Sequence, residues 1–338
     1  MSAAGPSLGA NSSPPGGQRS GDSRKRGGTT ITHLPDTTMP LTTTEPRRHQ
    51  LTSLSPHGFH HVVYYEWGDA ANPRVLICVH GVGRNGRDFD VLGEALSTTH
   101  RVLAVDMPGR GESEWLANPN DYVFTTYLTA LVALIARSGA ETVDWVGTSM
   151  GGLLGIVVAA QPKSPIRRLV VNDVGPAIEP AALDRIRGYF GLDPTFATYA
   201  EIEQYIRTVS APFGRLTDAQ WEHVTRSNVR QRADGRWGLA YDPGIAVPFR
   251  ASAAPPDLWG VWDAIRCPTL VLRGAQSDLL SAATAAEMGK RGPKPAIIEF
   301  ADVGHAPMLL SAGQVDPVAA FLRDATAPPS AAEDPANG

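Results

Sequence analysis

A serine stands between two glycines in residues 147–151, which read Gly-Thr-Ser-Met-Gly and match the pattern G-x-S-x-G. A strand-like run at 142–146 precedes this pattern, and an apolar, helix-like run at 152–160 follows it. A serine on a tight turn from strand to helix is exposed and held in a strained conformation, and the flanking glycines avoid collisions with neighbouring backbone. The helix N-terminus also favours negative charge that develops there. A plain turn residue is the alternative, but this setting is typical of a nucleophilic serine, Ser149.

The elements around this serine alternate between strand-like and helix-like patterns. Several strand segments are continuous apolar runs, such as 75–79, which favours central strands of a largely parallel sheet covered on both faces. A helix predicted at 126–138 has its apolar residues on one face, with Gly139 placed to end it. This alternation predicts an α/β fold. The predicted strands are 61–67, 74–80, 100–106, 142–147, 167–173, 269–274 and 296–300.

The alternation stops between about residues 176 and 262. The pattern there is helical, and a capping box at Thr217 to Gln220 predicts one helix start. This quarter of the chain holds 12 of the 24 aromatic residues. We interpret it as a small helical subdomain with an aromatic core, some of whose rings also line a pocket over the sheet.

Four further segments complete a combination that resembles the α/β-hydrolase superfamily. They follow in the expected order: His80-Gly81 after a strand, Asp-Met-Pro-Gly-Arg-Gly-Glu-Ser at 106–113, Gly-Ala-Gln-Ser-Asp at 274–278, and Gly304-His305 after the last strand. The resemblance covers about residues 58–325. It implies a mostly parallel central sheet flanked by helices, with a helical cap inserted after the sixth strand.

The resemblance also implies a role for each candidate site residue. Ser149 attacks a carbonyl, His305 takes the serine proton and returns it to the leaving group, and Asp278 orients the imidazole. The backbone N–H groups of Val82 and Met150 form the oxyanion hole. The order Ser, Asp, His along the chain is the one this fold uses.

The sequence offers a second candidate for the acid that orients His305. Asp173 also ends a predicted strand, and some members of the superfamily place their acid after that earlier strand. We favour Asp278 and keep Asp173 as the alternative. For His305 the alternative is an ordinary surface histidine.

A second motif points to different chemistry. Residues 81–86 read Gly-Val-Gly-Arg-Asn-Gly, follow a strand, and are followed by Asp106 at the end of the next strand. These are elements of a dinucleotide-binding fingerprint, so a nicotinamide-dependent oxidoreductase is a remote alternative. The hydrolase interpretation explains the same glycines as an oxyanion loop, and it also uses Ser149 and His305, which a dehydrogenase would leave idle.

The nucleophile narrows the activity within the superfamily. Haloalkane dehalogenases and epoxide hydrolases use Asp at this position, and prolyl aminopeptidases usually have Trp where this chain has Met150. Carbon–carbon bond hydrolases share the Ser-Met-Gly-Gly segment, but they commonly carry Asn and Trp where this chain has Thr148 and Ala306. We expect a carboxylesterase for small or medium acyl substrates, with lactones and hydroxyalkanoate oligomers as variants. A carbon–carbon hydrolase, an acyltransferase and a non-catalytic binding protein are the alternatives.

Composition excludes several other classes. The chain has 338 residues, a net charge of −4 and two cysteines. This gives no reason to expect a nucleic-acid partner, a disulfide framework or a zinc site. The longest apolar run, 153–160, is far too short to span a bilayer. We expect a small-molecule substrate, no metal or organic cofactor and no membrane association, and the sequence leaves the oligomeric state open.

The two ends of the chain have a different composition. Gly, Ser, Thr and Pro supply 27 of the first 50 residues, and none of these 50 is aromatic. Such a segment cannot bury enough apolar surface to offset its ordering entropy. We therefore expect a disordered extension at 1–50, a hydrolase core at 51–175 and 263–325, a cap at 176–262 and a disordered tail at 326–338. The basic cluster at 24–26 lacks the apolar stretch of a secretory signal, so we expect a cytoplasmic protein; Met39 is a possible alternative start.

Overall fold

A nine-stranded sheet forms the centre of the molecule. The computed structural model describes residues 31–33, 44–251 and 257–324, and at 31–33 only the backbone. In chain order the strands are β1 (Ile31–His33), β2 (Arg47–Ser55), β3 (Gly58–Trp67), β4 (Val75–Val79), β5 (Arg101–Val105), β6 (Val143–Thr148), β7 (Ile166–Asn172), β8 (Thr195–Phe196), β9 (Val229–Gln231), β10 (Trp237–Leu239), β11 (Thr269–Gly274) and β12 (Ala296–Phe300).

The order of strands in the main sheet is β1-β12-β11-β7-β6-β4-β5-β3-β2. The pairs β2 with β3 and β3 with β5 are antiparallel, and the other pairs are parallel. The carboxyl ends of β4, β6, β7, β11 and β12 therefore meet at one edge, where loops can bring side chains together.

Helices cover both faces of this sheet. They are α1 (Asp90–Leu96), α2 (Phe124–Ser138), α3 (Met150–Ala159), α4 (Pro180–Tyr189), α5 (Tyr199–Val209), α6 (Asp218–Asn228), α7 (Ala246–Ala251), α8 (Trp259–Ala264), α9 (Ala282–Met288) and α10 (Ala312–Arg323). Strand β4 is buried at every position: Ile77 packs with α2 and α3 on one face, and Leu76 packs with α1 and α10 on the other. A strand buried on both faces explains the continuous apolar run in the sequence.

The structure confirms the predicted fold class and corrects one boundary. Each predicted strand is present, and the helix predicted at 126–138 is α2, which ends at Gly139 with φ of 70°. Residues 47–50, which we expected to be disordered, begin β2, and 31–33 form β1. Residues 44–46 have no regular secondary structure, and the remaining residues of the predicted disorder, 1–30, 34–43 and 326–338, lie outside the described residues.

The segment 176–262, called the insertion below, lies between β7 and β11. It follows the sixth strand of the main sheet when the short β1 is left out. The predicted helices are present, including α6 with a capping box at Thr217 and Gln220. The insertion is not purely helical, because β8, β10 and β9 form a small antiparallel sheet. These strands have only two or three residues each, too few to leave a pattern in the sequence.

Backbone hydrogen bonds join the insertion to the loops of the main sheet. The Gly304 N–H donates to the Pro212 carbonyl at 2.7 Å, next to His305. The Asp242 N–H donates to the Gly109 carbonyl at 2.8 Å. The insertion is therefore tied to the edge of the sheet that carries the candidate site residues.

Among the described residues, none of the helices has the length and apolar character that crossing a membrane requires.

Candidate active site

Ser149 stands alone between a strand and a helix. Strand β6 ends at Thr148 and α3 begins at Met150, so Ser149 is the single residue that turns the chain. Its backbone has φ of 52° and ψ of −115°, a conformation that L-residues rarely adopt. The Ser149 N–H donates to the Asn172 carbonyl at 2.9 Å, which fixes the turn against β7. The strained serine turn predicted from the sequence is present.

The glycines on either side are required by close backbone contacts. A Cβ atom on Gly147 would overlap the carbonyl oxygen of Gly151, and one on Gly151 would overlap the carbonyl oxygen of Val79. The turn can form this tightly only because both positions lack side chains.

His305 lies between Ser149 and an acid. Its Nε2 atom is 3.0 Å from the Oγ atom of Ser149, and its Nδ1 atom is 2.8 Å from Oδ2 of Asp173. Because a carboxylate can only accept, Nδ1 carries the proton and Nε2 is left to accept the serine hydroxyl proton. This is the arrangement that activates a serine for attack on a carbonyl.

Asp173 is held in place from two other directions. It follows β7 directly, is fully buried, and has a left-handed backbone with φ of 55°. Its Oδ1 atom accepts the Gly274 N–H at 2.9 Å, so both carboxylate oxygens have donors. A buried carboxylate bonded in this way cannot turn away from His305.

The prediction that Asp278 orients His305 is wrong. Asp278 lies beyond the end of β11 and forms a bidentate ion pair with Arg185 of α4, at 2.6 and 3.0 Å. Its side chain is 47% exposed. Asp173, the alternative in the sequence, occupies the place beside His305.

Asn172 connects the serine turn to the histidine loop. It is fully buried, and its Nδ2 group donates to the Pro307 carbonyl at 2.8 Å and to Oγ1 of Thr148 at 3.0 Å. The bond to Pro307 fixes the loop two residues beyond His305. No motif in the sequence indicates this role, although Asn172 immediately precedes Asp173, the alternative acid.

The two predicted oxyanion donors lie at the same cavity as Ser149. Val82 and Met150 both line it, and within the described part of the chain neither backbone N–H donates to another group. The Val82 carbonyl accepts from Nε of buried Arg110 at 2.9 Å, which fixes the next peptide of the loop, between Val82 and Gly83.

His80 stabilises the loop that carries Val82. Its Nδ1–H donates to the Gly81 carbonyl at 2.7 Å, and its Nε2 accepts the Met107 N–H at 2.9 Å. Complete burial lowers the pKa of His80 to about 3, so its imidazole stays neutral.

The carboxylate of Asp106 is hydrogen-bonded to groups of the protein itself. It is fully buried, and its carboxylate accepts the N–H groups of Gly86 at 2.7 Å and Glu112 at 2.8 Å. It therefore cannot reach a ribose, as the dinucleotide interpretation would require. Burial raises the pKa of this carboxyl to about 7.

Two cavities meet at Ser149. The larger has a volume of about 430 Å³ and a largely apolar lining that includes Leu153, Leu183 and Phe249. The smaller, of about 160 Å³, includes His305 and Arg185. Residues of the insertion contribute to both linings, as the aromatic-rich segment suggested.

Comparison with known proteins defines the class. The model of the alpha/beta hydrolase family matches residues 76–321, and the chain belongs to this family. A 3-hydroxybutyrate-oligomer hydrolase of Cupriavidus necator is 49% identical over 279 residues, which cover 80% of this chain and 95% of the relative.

More distant relatives agree with this class. An esterase of Mycobacterium tuberculosis is 29% identical over 67% of this chain and 73% of its own length. The crystal structure of an alpha/beta hydrolase from Novosphingobium aromaticivorans has a TM-score of 0.74 and 36% identity, covering 83% of this chain and 99% of that one. The predictions of the superfamily and of an enzyme that hydrolyses ester bonds are confirmed at the level of the class.

Proposed function

We propose that this enzyme hydrolyses short oligomers of 3-hydroxybutyrate through an acyl-enzyme on Ser149. The observation that carries the proposal is the position of His305 between Ser149 and Asp173, at 3.0 and 2.8 Å. The substrate class is supported by the 49% identity to a 3-hydroxybutyrate-oligomer hydrolase over most of both chains. Such oligomers belong to the hydroxyalkanoate variant of ester substrates expected from the sequence.

The triad would work in two half-reactions. Ser149 Oγ attacks the ester carbonyl while His305 Nε2 takes its proton and passes it to the leaving alcohol. Water then enters and gives a proton to His305 while its oxygen bonds to the acyl carbon; the bond from that carbon to Ser149 Oγ breaks, the acid leaves, and His305 returns the proton to Oγ. Asp173 holds the imidazole in the required tautomer throughout and stabilises its charged form.

The negative oxygen of each tetrahedral intermediate would be bound by the N–H groups of Val82 and Met150. Met150 N–H is also the first free donor of α3, where the helix dipole favours an anion. Removing one donor of this kind typically slows turnover by about 10² to 10³.

The insertion 176–262 would act as a cap over a core formed by 51–175 and 263–325. Support comes from Ile186 and Phe249, which line the large cavity from the insertion side. By closing over the cavity, such a cap removes water from the ester and strengthens the interactions that stabilise charge.

Labelling with a fluorophosphonate probe, together with hydrolysis of two different esters, tests the activity. We expect one adduct on the protein by intact mass, absent in Ser149→Ala, and release of 3-hydroxybutyrate from its linear dimer. p-Nitrophenyl butyrate provides the general esterase reference. Turnover of this ester without turnover of the dimer would reject the substrate assignment, and an adduct without turnover of either would favour a transferase or a carbon–carbon hydrolase.

A cytoplasmic location remains part of the proposal, supported by the absence of an apolar stretch after the basic cluster at 24–26. Fractionation of the producing cells tests it, because an exported enzyme would appear outside the cytoplasmic fraction.

A further inference from the structure

Ser149 separates two cavities of different character. The larger cavity contains Ser149 and both predicted oxyanion donors, whereas His305 contributes only to the smaller one. The reacting ester must therefore extend from Ser149 into both spaces, with its acyl part on one side and its alcohol part on the other.

The position of His305 identifies the two sides. During acylation the bond between the carbonyl carbon and the alcohol oxygen breaks, and the bond between that carbon and Ser149 Oγ forms. The serine proton moves through His305 Nε2 to the departing oxygen. The leaving alcohol must lie on the side of His305, which is the smaller cavity, and the acyl group occupies the larger apolar one.

The leaving alcohol of a 3-hydroxybutyrate oligomer is itself an acid. When the last ester linkage is cleaved, the departing unit is 3-hydroxybutyrate, which carries a free carboxylate. A cavity that receives it should offer an unbalanced positive charge.

The smaller cavity has that charge. Its lining contains two arginines and one aspartate: Arg84 pairs with Asp88 inside the lining, whereas Asp278, the partner of Arg185, lies outside it. The lining of the smaller cavity thus has one more arginine than it has carboxylates, and Asp278 balances Arg185 from outside the lining. The larger lining also includes an arginine, Arg187, so the assignment rests on the side from which the alcohol leaves.

Arg185 can exchange its partner. The side chains of Arg185 and Asp278 are 41% and 47% exposed. An ion pair this exposed adds little to stability, so a second carboxylate can replace Asp278 at little cost. The guanidinium that now binds Asp278 through Nε and Nη2 has the planar fork that suits any carboxylate.

We propose that Arg185 binds the free carboxylate of the leaving hydroxy acid, so that the enzyme removes single units from the carboxyl end of the oligomer. This inference rests on the proposed function, since it specifies how that substrate lies in the site. Asp278 pairs with Arg185 when the cavity is empty, and the substrate carboxylate replaces Asp278 as its partner when substrate binds.

The linear dimer and its methyl ester test this assignment, because the methyl ester replaces the charged carboxylate with a neutral group only one methyl larger; hydrolysis is followed at the linkage between the two units. We expect Arg185→Gln to lower the ratio of kcat/KM for the dimer to that for the methyl ester by about tenfold or more, mainly through KM. Arg185→Lys should restore part of the ratio. Arg207→Gln is the matched control, because Arg207 of the insertion also pairs with carboxylates but lines neither cavity.

Asp278→Asn separates carboxylate binding from a merely structural ion pair. If Arg185 binds substrate, removing its competitor should leave or lower the KM for the dimer, whereas Arg185→Gln raises it. If the pair only holds α4 against the loop after β11, both variants should impair the acid and the methyl ester in parallel. That parallel loss would overturn the proposal.

Binding without turnover distinguishes this proposal from the proposed function. Calorimetry should show the dimer binding Ser149→Ala more tightly than Ser149→Ala/Arg185→Gln. Equal affinities would overturn the role of Arg185 even if wild-type enzyme hydrolyses the dimer. Failure of the dimer to bind Ser149→Ala would overturn both assignments.

Discussion

The carboxylate of Asp173 lies 2.8 Å from Nδ1 of His305, although the two residues are 132 positions apart in the chain. Asp173 follows β7 directly, and His305 lies in the loop after β12. The contact exists because parallel strands bring their carboxyl ends to the same edge of the sheet.

Exchanging the acid tests this contact. Asp173→Asn should lower kcat by about 10³ to 10⁴, because an amide no longer selects the His305 tautomer that accepts from serine. Asp278→Asn should keep kcat for p-nitrophenyl butyrate within a few-fold of the wild-type value, since the exposed side chain of Asp278 forms an ion pair with Arg185. Steady-state kinetics with circular dichroism as a folding control measures both. The reverse ranking of the two variants would refute the assignment.

Asn172 should matter for turnover more than for binding. Asn172→Ala removes the bond to Pro307 and should lower kcat about tenfold or more, as the His305 loop loses its anchor. Thr148→Val removes only the other partner of Asn172 and should have a smaller effect. Kinetics on one ester provides both values. Equal losses in the two variants would mean that the Pro307 contact has no separate role.

Filling the larger cavity should shorten the accepted acyl chain. Leu153 lines it one turn after Ser149, so Leu153→Trp should reduce kcat/KM for p-nitrophenyl hexanoate much more than for the acetate. Val132→Trp is the matched control, because Val132 is 60% exposed on α2. If the loss were the same for every chain length, the acyl group would not occupy this cavity.

His80 should make the fold sensitive to acid. The folded protein keeps it neutral because its pKa is lowered to about 3, while the unfolded chain binds a proton below about pH 6.5. The unfolded state therefore holds more protons between these values, and the free energy of unfolding falls as the pH decreases from about 6.5 towards 3. At pH 4.5 the loss from this residue is about 2–3 kcal/mol.

Urea unfolding near pH 7 and pH 4.5 measures this effect. His80→Asn, although less stable at neutral pH, should lose less stability on acidification than wild-type protein. His61→Asn changes an exposed histidine of β3 and should follow the wild type. Parallel pH dependence of all three proteins would contradict a neutral, buried His80.

The sequence indicated most of the site because its motifs are local. The serine turn, the glycines around it and the apolar strands each leave a pattern within a few residues. Strand β2 was missed because it is an edge strand with only two apolar residues, Leu51 and Leu54, so it has no continuous apolar run. Its position next to a Gly- and Pro-rich segment made it resemble a continuation of that segment.

The choice between Asp173 and Asp278 needed long-range information. Both follow parallel neighbouring strands, β7 and β11, so both belong to the same edge of the sheet. What separates them is the partner of Asp278, Arg185, which lies 93 residues away in the insertion. One local signal was present: Asp173 directly follows its strand, while Asp278 lies several residues beyond Gly274.

The hydrogen bond from the Gly304 N–H to the Pro212 carbonyl couples opening of the insertion to the loop that carries His305. Any swing of the insertion that parts Pro212 from the sheet must break this bond one residue before His305. His305, the proposed catalytic base, then loses one of its supports when the insertion opens and regains it when the insertion closes. The site is therefore either open to solvent or arranged to react, but not both at once. The rate of hydrogen exchange at the Gly304 amide would report how often the insertion opens.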